Sequence, residues 1–249
     1  SSKVAERKIA ARFEARARAA YAGAARLMAV SPFLAAAVEH YAGERAVEVL
    51  PNFIDTTFFR PPEAPRDSRG AFRFFALGLL CRNKGHALMV EAVALLKKRG
   101  REVSLDIGGY GPEARRLRGL IARLGVEREV RLLGRLSREE VRSALWQANA
   151  FVHASRVETF GIAVIEALAT GLPVVVTRCG GVESIVTDEL GLTVESGNAE
   201  VLAEAMEEMI GAAAAYDPDA LHEDIDARFS GEAVGSKLVE IYRQTATGH

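Results

Sequence analysis

Residues 155–181 read SRVETFGIAVIEALATGLPVVVTRCGG. Within it, residues 162–169 (IAVIEALA) are apolar but for one position, the pattern of a helix buried all round. With the Thr-Phe-Gly turn before it, the helix is expected over Thr159–Thr170. Pro173–Thr177 then reads as a buried strand, and the apolar run Ala150–His153 as another just upstream. Strand, helix and strand in so short a span form a βαβ unit, which makes the two strands parallel. Glu166 is the anomaly. A carboxylate in such a helix loses its hydration unless something hydrogen-bonds it, and Ala or Leu would serve the helix as well. Either a structural donor satisfies it or a ligand does.

The same alternation continues outward. Strands are expected at Phe72–Leu77, Val103–Ile107, Val130–Leu133 and Leu192–Val194. Helices are expected at His86–Lys98, Pro112–Leu124, after Ser137 (with Glu140 three residues on, a capping box), near Val182, and at Ala199–Ile210. The fold class is therefore α/β, a Rossmann-like parallel sheet with helices on both faces. Ligands bind such sheets at the carboxyl ends of the strands. Upstream lies a smaller unit: a first helix, a strand at Arg26–Ser31, a helix at Pro32–Tyr41 and a strand at Ala46–Leu50. The Pro-rich run Arg60–Ser68 (RPPEAPRDS) marks the break between the units.

The 249 residues are 49% apolar and 26% charged, the balance of a globular protein. A formal net charge of −1 gives no reason to expect nucleic acid as a partner. Cys81 and Cys179 are too few for a disulfide framework and too distant for a zinc site, so a cytoplasmic setting is expected. No run reaches the roughly 18 apolar residues of a membrane span, and no secretory leader is expected at the start. Lys3, Arg7, Lys8, Arg12, Arg16 and Arg18 alternate with Ile9, Phe13 and alanines. A basic amphipathic helix of this kind can rest on the inner face of an anionic membrane; the simpler reading is a solvated face with its apolar side packed inward.

Four loops follow expected strands. In residues 78–85 (GLLCRNKG), Lys84 beside Gly85 at a helix start is suited to a phosphate, or is a plain exposed lysine. In residues 108–114 (GGYGPEA), Gly109, Gly111 and Ala114 match the spacing G-x-G-x-x-A, a weak signal alone. The next strand ends in Leu133-Gly134-Arg135 rather than in an acid for a ribose, and Pro112 has no amide, so NAD and FAD are rejected and the glycines read as a tight turn that lets a ligand approach backbone. Glu158 precedes Thr159-Phe160-Gly161, whose amides open a helix and favour a diphosphate. Glu166, about two turns further, can accept from a ribose diol. Gly180-Gly181 is the fourth turn. His153 reads as a packed core histidine, and Cys179 has no nearby base to make it a nucleophile.

Glu158 and Glu166 form a Glu-x₇-Glu pair, and ETFGIAVIEALATGLPVVVT resembles the central block of the retaining family 4 glycosyltransferases, which have the GT-B fold. PNFIDTTFFRP resembles that family's domain-crossing segment, GGYGPEARRL its Gly-x-Gly-Pro loop, and FSGEAVGSKLVEIY (229–242) its closing helix. The similarity runs from about Leu27 to Tyr242. It implies three parts: a remnant of the N-terminal acceptor-side domain (1–51), a nucleotide-sugar-binding domain (52–228) and a closing helix (229–249).

The resemblance further implies a UDP- or GDP-linked sugar donor. Glu166 would hold the ribose, Glu158 would lie by the donor sugar, and Thr159, Phe160 and Gly161 would serve sugar and phosphates. Lys84 would neutralise the diphosphate, with Gly78, Gly109, Gly111 and backbone at Leu133 completing the donor site. The family's arginine position is Leu79, a departure for which Arg82 is the candidate replacement. Its Asn-Gly has become Asn52-Phe53. Family enzymes carry more than a hundred residues before this point, so the chain looks like the donor-binding part of a transferase. The expected activity is transfer of a sugar to a sugar, lipid or small-molecule acceptor with retention, without cofactor or metal. The alternative is a nucleotide-sugar-binding module inactive without its N-terminal domain. A GT-B epimerase or phosphorylase is a weaker fit, because no lysine stands in a pyridoxal-phosphate context.

Overall fold

The computed structural model describes residues 14–43, 45–66 and 70–247. Lys3, Arg7, Lys8, Ile9, Arg12 and Phe13 of the basic first segment lie outside the described residues. A helix α1 runs through residues 14–23. It is followed by β1 (Leu27–Ala29), α2 (Pro32–Ala42) and β2 (Val47–Val49). Ser31 caps α2, its hydroxyl accepting from the Leu34 amide, and Pro32 sits in the first turn. β1 and β2 pair in parallel. Leu27, Ala29, Ala35 and Val47 form a small core of their own under α2.

The larger unit contains β3 (Phe72–Leu77), α3 (His86–Lys98), β4 (Val103–Gly108), α4 (Ala114–Leu124), β5 (Val130–Gly134), α5 (Arg138–Gln147), β6 (Ala150–His153), α6 (Ile162–Ala169), β7 (Val174–Thr177), β8 (Gly191–Val194), α7 (Ala199–Ala212), α8 (Pro218–Phe229) and α9 (Gly231–Ala246). Its six strands are all parallel in the order β5-β4-β3-β6-β7-β8. Strand order reverses between β3 and β6. The loops that leave these two neighbours depart in opposite directions and open a crevice at their carboxyl ends. β6 and β7 are buried at every position, as strands covered on both faces must be. One core lies under α3, α4 and α7, and the other under α5, α6 and α8.

Two helices differ from expectation. α6 begins at Ile162 rather than Thr159, because Gly161 at φ +107° ends the preceding turn in a left-handed conformation. α4 begins at Ala114, two residues after Pro112. Nor is α6 buried on every side. Val164, Ile165, Ala167, Leu168 and Ala169 are buried, but Ile162 is 47% exposed and Ala163 and Glu166 are half-buried. These three positions form a stripe at helical spacing that faces the crevice. The capping box of α5 is present, Glu140 N donating to Ser137 Oγ and Ser137 N to the Glu140 carboxylate.

The segment joining the units is pinned beside the junction of α8 and α9. Ile54 N donates to Phe229 O (2.9 Å), and the Thr56 hydroxyl donates to Asp226 (2.5 Å). The chain thus crosses the same place twice.

Candidate functional site

The crevice at the β3/β6 switch holds a cavity of about 380 Å³ lined by Asn52, Leu77, Gly78, Leu79, Lys84, His153, Glu158, Thr159, Phe160, Gly161, Ile162, Ala163 and Glu166. Loops whose Lys84 and Glu158 are 74 residues apart in sequence meet here because their strands are neighbours in the sheet. A one-turn 3₁₀ helix at Arg82–Lys84 aims Lys84 inward, and its ammonium donates to Glu158 Oε2. The backbone of Glu158 is fixed by the loop after β7: Glu158 N donates to Cys179 O (2.8 Å) and Gly181 N to Glu158 O (2.7 Å). A side chain at Gly181 would meet the Thr159 backbone at 2.3 Å. Gly180 N donates to the Glu183 carboxylate. Both amides of the Gly-Gly turn therefore work within the protein.

Burial pushes the Glu158 carboxyl up, but the Lys84 hydrogen bond and charge outweigh it and leave the group below its ordinary value. The Thr159 amide donates to Glu158 Oε1 (3.0 Å). His153 is buried, as a core histidine should be, yet it also lines the cavity. Its Nε2 has no hydrogen-bond partner and stands 3.7 Å from Glu158 Oε2. Burial, then the Lys84 charge, lower its pKa to about 4, so the ring is neutral at physiological pH. His86 is likewise lowered to about 4 by burial and then by Lys84.

The Glu166 carboxylate makes no hydrogen bond among the described residues. Burial pushes its carboxyl up to about 7, against the pull of Arg138. Arg138 is itself held by Asp55 at 3.2 Å and lies over the ring of Phe58. Among the described residues no structural donor satisfies this carboxylate, which faces the cavity. Ile162 N and Ala163 N, the first two amides of α6, have no acceptor within the helix and open on the same space.

The remaining residues singled out in the sequence divide. Gly78 lines both this cavity and an adjoining hollow of about 270 Å³, where Gly109 and Tyr110 face Arg135 and Leu136. The Arg135 guanidinium lies 5.0 Å from the Tyr110 ring centre. At Gly109 and Gly111 the close neighbour is protein backbone. A side chain there would meet Gly78 O at 1.9 Å and Leu80 O at 2.5 Å, so these glycines let one loop lie on the other. Leu133 lines a separate groove with Arg131 and Asp106. Arg82 is not in the crevice; it lies 3.7 Å from Glu113 in another cavity, while Leu79 occupies the crevice wall, 48% exposed. Cys179 is buried and its thiol is pushed up to about 12 by burial, then by Glu183 and Glu158, so it stays protonated.

Asn52, Ile162, Ala163 and His153 belong to the lining but carried no signal as site residues in the sequence. A contact from the smaller unit was also invisible there: the Ser31 hydroxyl donates to Thr159 O (2.5 Å), and Phe33 packs on Gly180. Among the described residues no three His, Cys, Asp or Glu side chains are grouped as a metal site, and no helix is long and apolar enough to cross a membrane.

The family model described as glycosyl transferases group 1 matches residues 63–227. The chain is 32% identical over 216 residues to the D-inositol 3-phosphate glycosyltransferase of Arthrobacter sp., covering 82% of this chain and 50% of that protein. It is 26% identical over 203 residues to the phosphatidylinositol N-acetylglucosaminyltransferase GPI3 subunit of Saccharomyces cerevisiae, covering 79% and 45%. The chain thus spans about half the length of these curated relatives. Among solved structures, sucrose-phosphate synthase from Thermosynechococcus elongatus superposes with a TM-score of 0.82 at 24% identity, covering 93% of this chain and 61% of that one. Anabaena HepE in complex with UDP superposes with a TM-score of 0.80 at 20% identity, covering 89% and 64%. At these identities the likeness establishes the fold, that of GT-B glycosyltransferases.

Proposed function

The chain belongs to the glycosyl transferases group 1 family, and from that premise we propose that its crevice binds the nucleoside diphosphate sugar donor of a retaining glycosyltransferase. The observation that carries the reading is Glu166, a cavity-facing carboxylate with no hydrogen-bond partner among the described residues, about one helical turn from free amides. A vicinal diol donates two hydrogen bonds to one carboxylate, and a diphosphate suits the helix start. Ribose on Glu166 and phosphates at Ile162, Ala163 and Lys84 fit the spacing of one nucleotide.

In this reading the Lys84 ammonium serves the donor's diphosphate. As the bond from sugar to diphosphate breaks, negative charge grows on the departing oxygen, and Lys84 and the α6 amides stabilise it without a metal. Glu158, at the sugar end, orients the donor. UDP is the first donor nucleotide to test, because solved relatives of the same fold hold UDP. Both curated relatives are named for inositol-bearing acceptors, so inositol phosphates and phosphatidylinositol are the first acceptors to screen.

Leu79 favours a second reading, a nucleotide-sugar-binding module that transfers nothing by itself, because an apolar side chain stands where a second cation would help the leaving group. Calorimetry with UDP, GDP and their sugars tests binding, and a turnover assay with each acceptor separates the two readings. Glu166→Ala should weaken nucleotide binding by about 1–3 kcal/mol. Unchanged affinity in that variant would sink the assignment.

A further inference from the structure

Behind the Arg82–Lys84 turn, on the opposite side from the crevice, lies a second cavity of about 370 Å³. Lys84 faces one cavity and Arg82 the other. The second is walled by Arg82, Arg116 and Arg156 against Glu91 and Glu113, three guanidiniums to two carboxylates. Glu113 accepts from Arg116 (2.6 Å) and lies 3.7 Å from Arg82, so one carboxylate is shared by two arginines. The Arg156 guanidinium has no hydrogen-bond or ion-pair partner among the described residues. Its position is fixed by backbone: Arg156 N donates to Asn83 O (2.8 Å), and Asn83 Nδ2 donates to Val157 O (2.7 Å).

The floor of this cavity is the start of α3, a helix of 13 residues. Its N-cap is Gly85, which has no side chain to accept from the first amides. No other residue could stand there, because a Cβ at Gly85 would meet Ala154 O at 1.9 Å and φ is +67°. The amides of His86 and Ala87 therefore lack an intrahelical acceptor and carry the positive end of the helix dipole. His86, only 3% exposed, lines the same cavity, and its Nδ1 has no hydrogen-bond partner. An uncapped helix start, a surplus guanidinium and an unpartnered buried imidazole in one concavity share a single complement, a compact oxyanion.

We propose that this cavity is a second anion site, distinct from the donor crevice, that takes a phosphoryl group, either as inorganic phosphate or as the phosphate monoester of a small metabolite. Its oxygens accept from Arg156, Arg116 and the α3 amides. Because Arg82 and Lys84 share one 3₁₀ turn, an anion drawn to Arg82 bears on the turn that carries Lys84, so occupancy is coupled to the crevice.

The test uses the 249-residue chain and inorganic phosphate, with glycerol 3-phosphate as a separate arm. Amide NMR of the wild-type protein saturated with UDP is the variant-free readout: the proposal expects His86 and Ala87 to shift on phosphate titration, and the stronger arm identifies the source. The double variant Arg116→Gln/Arg156→Gln should lose at least about tenfold in phosphate affinity, the effect of one to two charge-assisted bonds, while keeping UDP affinity within about twofold. Glu166→Ala should do the reverse. If phosphate is displaced by UDP, if it shifts only amides around Lys84 and Ile162, or if it fails to bind in either arm, the proposal is overturned. The same phosphate titration without UDP should shift His86 and Ala87 as well, so failure of this proposal is distinguishable from failure of UDP binding.

Discussion

Lys84 and Glu158, 74 residues apart, are joined by an ammonium–carboxylate hydrogen bond that ties the loop after β3 to the loop after β6. The bond closes the crevice at the point where strand order reverses, and it occupies the one lysine that lines the cavity. A diphosphate entering the site competes with Glu158 for that ammonium. The half-buried pair is less screened than a surface ion pair, and removing one partner leaves the other desolvated.

This pair gives opposite expectations for its two members. Lys84→Met removes the cation and should weaken UDP binding by about 1.5–3 kcal/mol, the range for hydrogen bonds to charged groups. Glu158→Gln frees the ammonium and removes a negative charge near the phosphates, so it should tighten UDP binding several-fold while lowering any transfer activity. Titration calorimetry on both variants decides. Equal weakening in both would show that the pair acts as a rigid clamp rather than as competitors.

Glu166 has its pKa raised from 4.5 to about 7, so the folded protein holds this proton more tightly than the unfolded chain. The associated stabilisation is full below about pH 4.5 and is lost as pH rises through 7. Glu166→Gln, which cannot ionise, should therefore match the wild type near pH 4.5 and exceed it in stability at pH 8, by on the order of 2 kcal/mol. Denaturant titrations at the two pH values measure the difference. Nucleotide binding should run the other way, strengthening from pH 6 to 8 as the carboxylate forms. A pH-independent affinity would separate Glu166 from the ribose.

His86 and His153 have the converse linkage. Both are lowered from 6.5 to about 4 by burial, so between these values the unfolded chain binds protons that the folded one refuses. Stability contributed by the neutral rings is complete above pH 6.5 and falls as pH drops toward 4. Thermal melts across that window should show Tm decreasing, and His153→Leu should flatten the slope by about one proton. Direct NMR titration of the two imidazoles checks the same point without a variant.

Much of this was legible in the sequence. The strand–helix alternation fixes a parallel sheet, Lys84 and Glu158 stand in loops at strand ends where a crevice must form, and Glu166 lies on the helix that follows. What could not be read there is long-range or directional. Nothing local says that Lys84 reaches Glu158, or that Arg82 turns to Glu113 on the far side of its own 3₁₀ turn. α6 looked buried all round because Ile162 and Ala163, which face the cavity, are as apolar as the core. Its start was misplaced because the positive φ of Gly161 stops a turn that hydropathy alone would extend.

Gly109 offers a test of the packing that shapes the crevice. Its φ of +139° lies in a region that L residues avoid, and a Cβ would sit 1.9 Å from Gly78 O. Gly109→Ala must push the loop after β4 off the loop after β3, and should destabilise the fold by about 3 kcal/mol or more. Gly119→Ala, on α4 with nothing within 4 Å, should instead stabilise by up to about 1 kcal/mol. Urea denaturation of the two variants side by side supplies the contrast.

Leu79 is the position where a single change should add function. It is 48% exposed and lines the same cavity as Lys84, so a longer polar side chain can enter the crevice without displacing core. Leu79→Arg would place a guanidinium within reach of a diphosphate, where bidentate contacts exceed a point charge. UDP affinity should rise about tenfold, as expected for one added charge-assisted interaction, and the gain should shrink at high salt. A gain equal for UDP and for uridine would mean that the new side chain touches the nucleoside, and would remove the diphosphate from this end of the cavity.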